Sequence, residues 1–117
     1  MTLTDRIATL QKAREAANAV LQEIERQNDA DLTSSGPERR EPVRQRAKNQ
    51  IRLIDIEIRN LTAAGNAIAL DPLVVDRLDV LAARLDQAIQ INALIDLGTT
   101  SLIAVLNAVS EVRETLA

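Results

Sequence analysis

The sequence predicts an all-α fold, an antiparallel helical bundle of four helices, or of three if residues 72–116 form one long rod. Three observations predict it. Leu, Ile, Val and Ala recur at three- and four-residue spacing along most of the chain. Polar, Gly- and Pro-bearing clusters interrupt that spacing at a few places, where helices start or stop. The length of 117 residues suits one domain, 1–117, with a single core.

The first helix is expected over about 4–28. Leu3, Ile7, Leu10, Ala17, Leu21 and Ile24 form one stripe, interrupted by Arg14. Thr2 with Asp5 three residues later has the form of a capping box. A loop is expected over 28–41, where Asn, Asp, Thr and Ser side chains compete for backbone hydrogen bonds. Ser35-Gly36-Pro37-Glu38 resembles a second capping box, but Pro42 disfavours helix at Glu41. A short turn, a kink and then the main helix from about Pro42 are therefore predicted.

That second helix, 42–64, carries Val43, Ala47, Ile51, Ile54, Ile58 and Leu61 on one face, with Leu53 and Ile56 on the other side. Asp71-Pro72 then reads as an N-cap carboxylate followed by Pro at the first helical position. The third helix is expected over 72–97, with Val74, Leu78, Leu81, Leu85, Ile89 and Ile95 on its main stripe. Leu73, Val80, Ile91 and Leu94 form a second stripe. Gly98 is expected to act as its C-cap and Thr99-Thr100-Ser101 to start a fourth helix, 100–116. Leu102, Val105, Leu106, Val109, Val112 and Leu116 line the fourth.

What the chain lacks narrows its chemistry. It has no Phe, Trp, Tyr, Cys or His, so the core must be Leu, Ile, Val and Ala. There is no thiol, no imidazole base or ligand, and no aromatic platform for unpaired bases. Ser34, Ser35, Ser101 and Ser110 have no His to activate them, and Lys12 and Lys48 sit among charged neighbours. Gly36, Gly65 and Gly98 form no phosphate loop, and no pair of acids lies on a core stripe at metal-ligand spacing. No catalytic residue, no cofactor and no metal site is expected, and the protein is expected not to be an enzyme.

The formal charge of −3 conceals an asymmetry. Residues 38–52 carry Arg39, Arg40, Arg44, Arg46, Lys48 and Arg52 against Glu38 and Glu41, within an otherwise acidic chain. This basic patch would suit phosphate, an acidic protein or an anionic membrane surface. It would equally be complemented by the chain's own acids, which its Arg richness favours. The absence of interleaved aromatics and the acidic total argue against nucleic acid. Asn92 and Asp96, four residues apart on the third helix, are either a buried polar pair or solvated groups near Gly98, and the second is favoured. Arg14 is expected to lay its stem on the core and its head in water.

Leu53, Ile56, Val80, Ile91 and Leu94 exceed what one neighbouring stripe covers, which points to a partner surface. The leading expectation is a non-enzymatic interaction, assembly or scaffold component, a homodimer or higher homo-oligomer joined through aliphatic helix faces. The alternatives are a small immunity- or antitoxin-like protein that neutralises a basic partner, and anion binding through 39–52. No transmembrane segment and no secretory leader are read, so residence in the cytoplasm is expected, with export lacking a cleaved signal left open.

Overall fold

A computed structural model describes the backbone of residues 2–30, 35–65 and 70–116, and the side chains of 2–27, 40–65 and 70–116. It contains four helices: α1 (Leu3–Ala30), α2 (Ser35–Ala64), α3 (Pro72–Ala88) and α4 (Thr99–Leu116). No described helix is long and apolar enough to cross a membrane.

The ends of the helices follow local chemistry. The Thr2 backbone N–H donates to Asp5 Oδ2 (3.2 Å) and the Asp5 N–H donates to Thr2 Oγ1 (3.1 Å), so the predicted capping box opens α1. Hydrogen bonding of its carboxylate to Thr2, from the backbone N–H first and then from the side chain, lowers the Asp5 pKa. Asp71 Oδ1 accepts from the Leu73 N–H at 2.8 Å and Pro72 takes the first helical position, as predicted for α3. Gly65 closes α2 at φ +65, its N–H donating to the Leu61 carbonyl, which is the left-handed cap that Gly alone adopts freely.

Two predicted boundaries are corrected. The loop over 28–41 is largely helical: α1 continues to Ala30, α2 begins at Ser35, and the helix passes through exposed Pro42 with the loss of one N–H donor. The predicted Ser35–Glu38 cap lies in side chains outside the described residues. The third helix does not reach 97 and no rod spans 72–116. Helix ends at Ala88, and residues 89–98 form successive turns instead. Gly98 is consequently not the C-cap of α3; its carbonyl accepts from the Ser101 and Leu102 N–H groups, so it caps the start of α4.

The helices alternate in direction. Arg14 on α1 meets Asp55 on α2, while Glu25 further along α1 lies beside Arg44 earlier in α2. Arg6 reaches the Leu116 carbonyl and Gln27 the Leu97 carbonyl, so α4 runs antiparallel to α1. α1 and α4 each touch the other three helices, whereas α2 and α3 make no contact with one another among the described residues. The α1–α4 pair is thus a central wall with α2 on one side and α3 on the other. Ala13, Ala16 and Ala17, fully buried on α1, permit this convergence because small side chains let neighbouring backbones approach.

Leu10, Val20 and Ile24 of α1, Ile54 of α2, Leu78, Leu81 and Leu85 of α3, and Leu102, Leu106, Val109, Val112 and Leu116 of α4 complete the core. Each contributes about 1.5–3 kcal/mol by leaving water. A polar seam joins α2 to α4. Buried Gln50 donates to Ser110 Oγ (2.6 Å) and accepts from Arg113 Nε (3.0 Å), while Arg46 donates to Asn107 Oδ1 (2.7 Å). Arg14 does not end in open water: its Nε donates to Asp55 Oδ1 at 2.7 Å.

Candidate interaction surface

Residues 89–98 cover the second half of α1 without helical geometry, and their backbone shows why. The N–H groups of Ala93, Ile95 and Leu97 donate to the carbonyls of Gln90, Asn92 and Leu94, each three residues back. Asn92 (φ 65) and Asp96 (φ 61) occupy the left-handed region, which Asn and Asp tolerate better than other non-glycine residues. Gln90–Ala93 and Leu94–Leu97 are therefore two similar turns with an Ile second and an Asn or Asp third. Leu94 turns inward to the core, while Ile91 is 91% and Ile95 44% exposed.

A single buried acid pins this segment. Glu23 on α1 is 5% exposed and accepts from Arg26 Nε (2.8 Å), Arg26 Nη2 (2.9 Å) and Gln27 Nε2 (2.8 Å). The Asp96 backbone N–H donates to it as well. Burial pushes its pKa upward, but the hydrogen bonds from Arg26 and Gln27 outweigh that and hold it below the ordinary glutamate value. Arg26 then bridges outward to Asp96 Oδ1 at 2.6 Å, and Gln27 donates to the Leu97 carbonyl at 2.9 Å. Beside this clasp lies an open pocket of about 300 Å³, walled by Ala19, Ala88, Ile89, Leu94 and Ile95 with Arg26 at its polar edge. Its size is at the lower limit for small-ligand sites.

Two further surfaces flank the central wall. The outer face of α2 presents Lys48, Arg52, Ile56 and Arg59, all exposed; among the described residues Arg52 donates to the Asn49 side chain alone. The outer face of α3 presents Asp76, Asp79 and Val80, with Leu73 at its start exposed to 77%. On the edge of α3 toward α4, Arg77 Nε pairs with Glu111 Oε1 at 2.7 Å, and this bond lowers the Glu111 pKa.

The five predicted interface residues fall into three groups. Ile56 (42% exposed), Val80 (48%) and Ile91 face solvent on three different elements. Leu53 is half-buried. Leu94 belongs to the chain's own core because the turn carries it inward, so it offers nothing to a partner. Asn92 and Asp96 are exposed, as favoured, but in turns rather than on a helix.

The basic patch is partly consumed from within. Arg44 pairs with Glu41 (3.3 Å) and Glu25 (3.7 Å), Arg40 donates to the Gln27 carbonyl, and Arg46 serves Asn107 and Ser110. The Arg39 side chain lies outside the described residues. Lys48 and Arg52 remain outward. Arg59, seven residues beyond Arg52 on the same face, is a functional candidate that the segment-by-segment charge pattern overlooked. Glu23 was missed too, since a lone acid between apolar positions carries no mark of the bonds it makes.

Among the described residues no three acidic side chains lie close enough together to share a metal ion. Ser110, half-buried between α2 and α4, receives hydrogen bonds from Gln50 and Arg46, neither of which can accept its proton as a base. No protein-family model matches the chain, and neither a curated protein nor a solved structure matches it.

Proposed function

We propose that this protein is a non-enzymatic assembly component that associates with copies of itself through aliphatic surface on the outer sides of its helices and turns. One observation supports this most directly: Ile56, Leu73, Val80 and Ile91 are held in water on ordered elements while the core beneath them is already filled by other residues. Each forgoes part of the roughly 1.5–3 kcal/mol that full burial would return. Covering them with another chain recovers it.

Light scattering after size exclusion, followed by refractive index because the chain lacks Trp and Tyr, tests the proposal. The expected mass exceeds the 12.8 kDa monomer and rises with concentration. The triple variant Ile56→Asp, Val80→Asp, Ile91→Asp should keep its helicity by circular dichroism and shift toward monomer. A wild-type mass of one chain at every concentration would sink the proposal.

A second function is favoured by Asp76 and Asp79, which form no ion pair with a described residue: docking of an unlike, basic protein on α3. It predicts a monomer that forms a stoichiometric complex with that protein, and Asp76→Lys with Asp79→Lys abolishing it.

A further inference from the structure

We infer that copies of this chain join head to tail, the basic outer face of α2 on one copy seating against the acidic outer face of α3 on the next. This rests on the self-association proposed above and specifies its geometry. On α2, Lys48, Arg52 and Arg59 recur at spacings that place them on one helical face around Ile56, and none forms an ion pair with a described acid. Glu41, two turns before Lys48, is occupied by Arg44 and Gln45, Asp55 on the stripe is held by Arg14 of α1, and Glu57 is half-buried off the stripe. On α3, Asp76 and Asp79 are likewise without a described cation, and exposed Arg84 lies at the edge toward α4, beside Ala104 and Ala108. Asp86 continues the stripe while holding Lys12 at 3.0 Å, its side chain still half exposed.

The two stripes match in extent. At ~1.5 Å per residue Lys48 to Arg59 covers about 16 Å and Asp76 to Asp86 about 15 Å. Each is flanked by aliphatic surface, Ile56 on the basic side and Leu73 with Val80 on the acidic side. Their positions decide the symmetry. Because α2 and α3 lie on opposite sides of the α1–α4 wall and never touch, one copy cannot pair its own two stripes. A two-fold dimer that pairs unlike stripes needs both on one side of each copy, which their placement prevents, and one that pairs a stripe with its own copy brings like charges together. Joining unlike stripes satisfies both, leaves one free stripe at each end, and therefore propagates.

Charge reversal tests this on the full chain. A basic-face variant, Lys48→Glu, Arg52→Glu, Arg59→Glu, carries two acidic faces. An acidic-face variant, Asp76→Lys, Asp79→Lys, carries two basic ones. All five positions are exposed, and circular dichroism checks that helicity is kept. Each variant alone should run as a 12.8 kDa monomer, and an equimolar mixture should regain the high mass. Wild-type association should also weaken toward about 1 M salt, where charges are screened beyond about 3 Å. Variants that assemble alone as the wild type does, a mixture that stays monomeric, or a wild-type mass that stops at two chains would each overturn head-to-tail joining while leaving self-association standing. A wild-type protein that never assembles removes both.

Discussion

The two halves of α1 are covered by different means. Its first half lies under α3, a regular helix whose backbone satisfies itself, so Leu78, Leu81 and Leu85 close the contact with aliphatic surface, and the Lys12–Asp86 pair across it joins side chains without serving any backbone group. Its second half lies under 89–98, whose turns leave N–H and carbonyl groups that the segment cannot pair internally, and α1 supplies Glu23 and Gln27 to serve them. The buried charges differ accordingly. Glu23 is fully bonded, whereas Arg6, 2% exposed at the other end, donates from Nη2 to the Leu116 carbonyl and finds no described partner for Nε or Nη1. One buried ion holds an irregular segment in place; the other caps α4 with its cationic end at a net cost of unpaired donors.

Leu94→Ala should break the covering of the second half most severely. Its side chain is enclosed in the core, and removing it leaves a cavity worth about 2–5 kcal/mol of stability. Ile91→Ala, three residues earlier but in water, should stay within about 0.5 kcal/mol. Urea unfolding followed by circular dichroism, at concentrations low enough to limit assembly, reads both. Equal costs at the two positions would mean that the turns do not direct one inward and the other outward.

Glu23→Gln comes next, at about 1–3 kcal/mol, because a neutral amide cannot accept from Arg26 as the buried carboxylate does and one of the part-buried bonds is lost. Its pH dependence has a definite sign. The folded-state pKa of Glu23 is lowered, so the carboxylate's stabilisation is complete above the unfolded value of about 4.3 and is lost as pH falls through the folded one. Wild type should therefore lose its advantage over Glu23→Gln on going from neutral to strongly acidic pH. A difference between the two proteins that stays constant with pH would show that the charge of Glu23 has no part in the clasp.

Much of this was legible in advance, and the pattern of misses is physical. The stripe of α4 and the caps at Thr2–Asp5 and Asp71-Pro72 follow from spacing and local hydrogen-bonding groups, and the structure contains them. The end of α3 at Ala88 was not legible. Ile89, Ile91, Leu94 and Ile95 keep a helical spacing, and bonds from α1, 70 to 73 residues earlier in sequence, hold the segment that carries the left-handed turns at Asn92 and Asp96. Of the interface candidates, Val80 and Ile56 sit on helices whose phase the sequence sets, and both face solvent. Leu94 lies beyond the helix end, so its predicted phase had no meaning. The basic patch divided for a similar reason: which Arg finds an acid depends on neighbours across the bundle, such as Glu25 beside Arg44.

Arg6→Met should sharpen the contrast between the two buried ions with the opposite sign, stabilising the fold. The thioether fills similar space and removes two unpaired donors, together costing about 2–6 kcal/mol, while one charge-assisted bond to the Leu116 carbonyl, worth about 1.5–3 kcal/mol, is lost. A net gain of about 1–2 kcal/mol should raise the melting temperature. A lowered one would mean that the cap on α4 outweighs the orphaned nitrogens.

The smallest effect isolates the backbone of the turns from everything that holds them. Asn92 makes no side-chain hydrogen bond to a described residue, so substitutions there report on φ 65 itself. Asn92→Ala should cost about 1 kcal/mol, because its Cβ opposes the left-handed conformation without the local compensation Asn offers. Asn92→Gly should fall within about 0.5 kcal/mol of wild type, since relief of that strain is offset by the greater freedom glycine has when unfolded. If Ala proved better than Gly, residue 92 would have to be helical in solution. α3 would then extend past Ala88, and Leu94, the Glu23 clasp and the outward pose of Ile91 would all lose their geometric basis together.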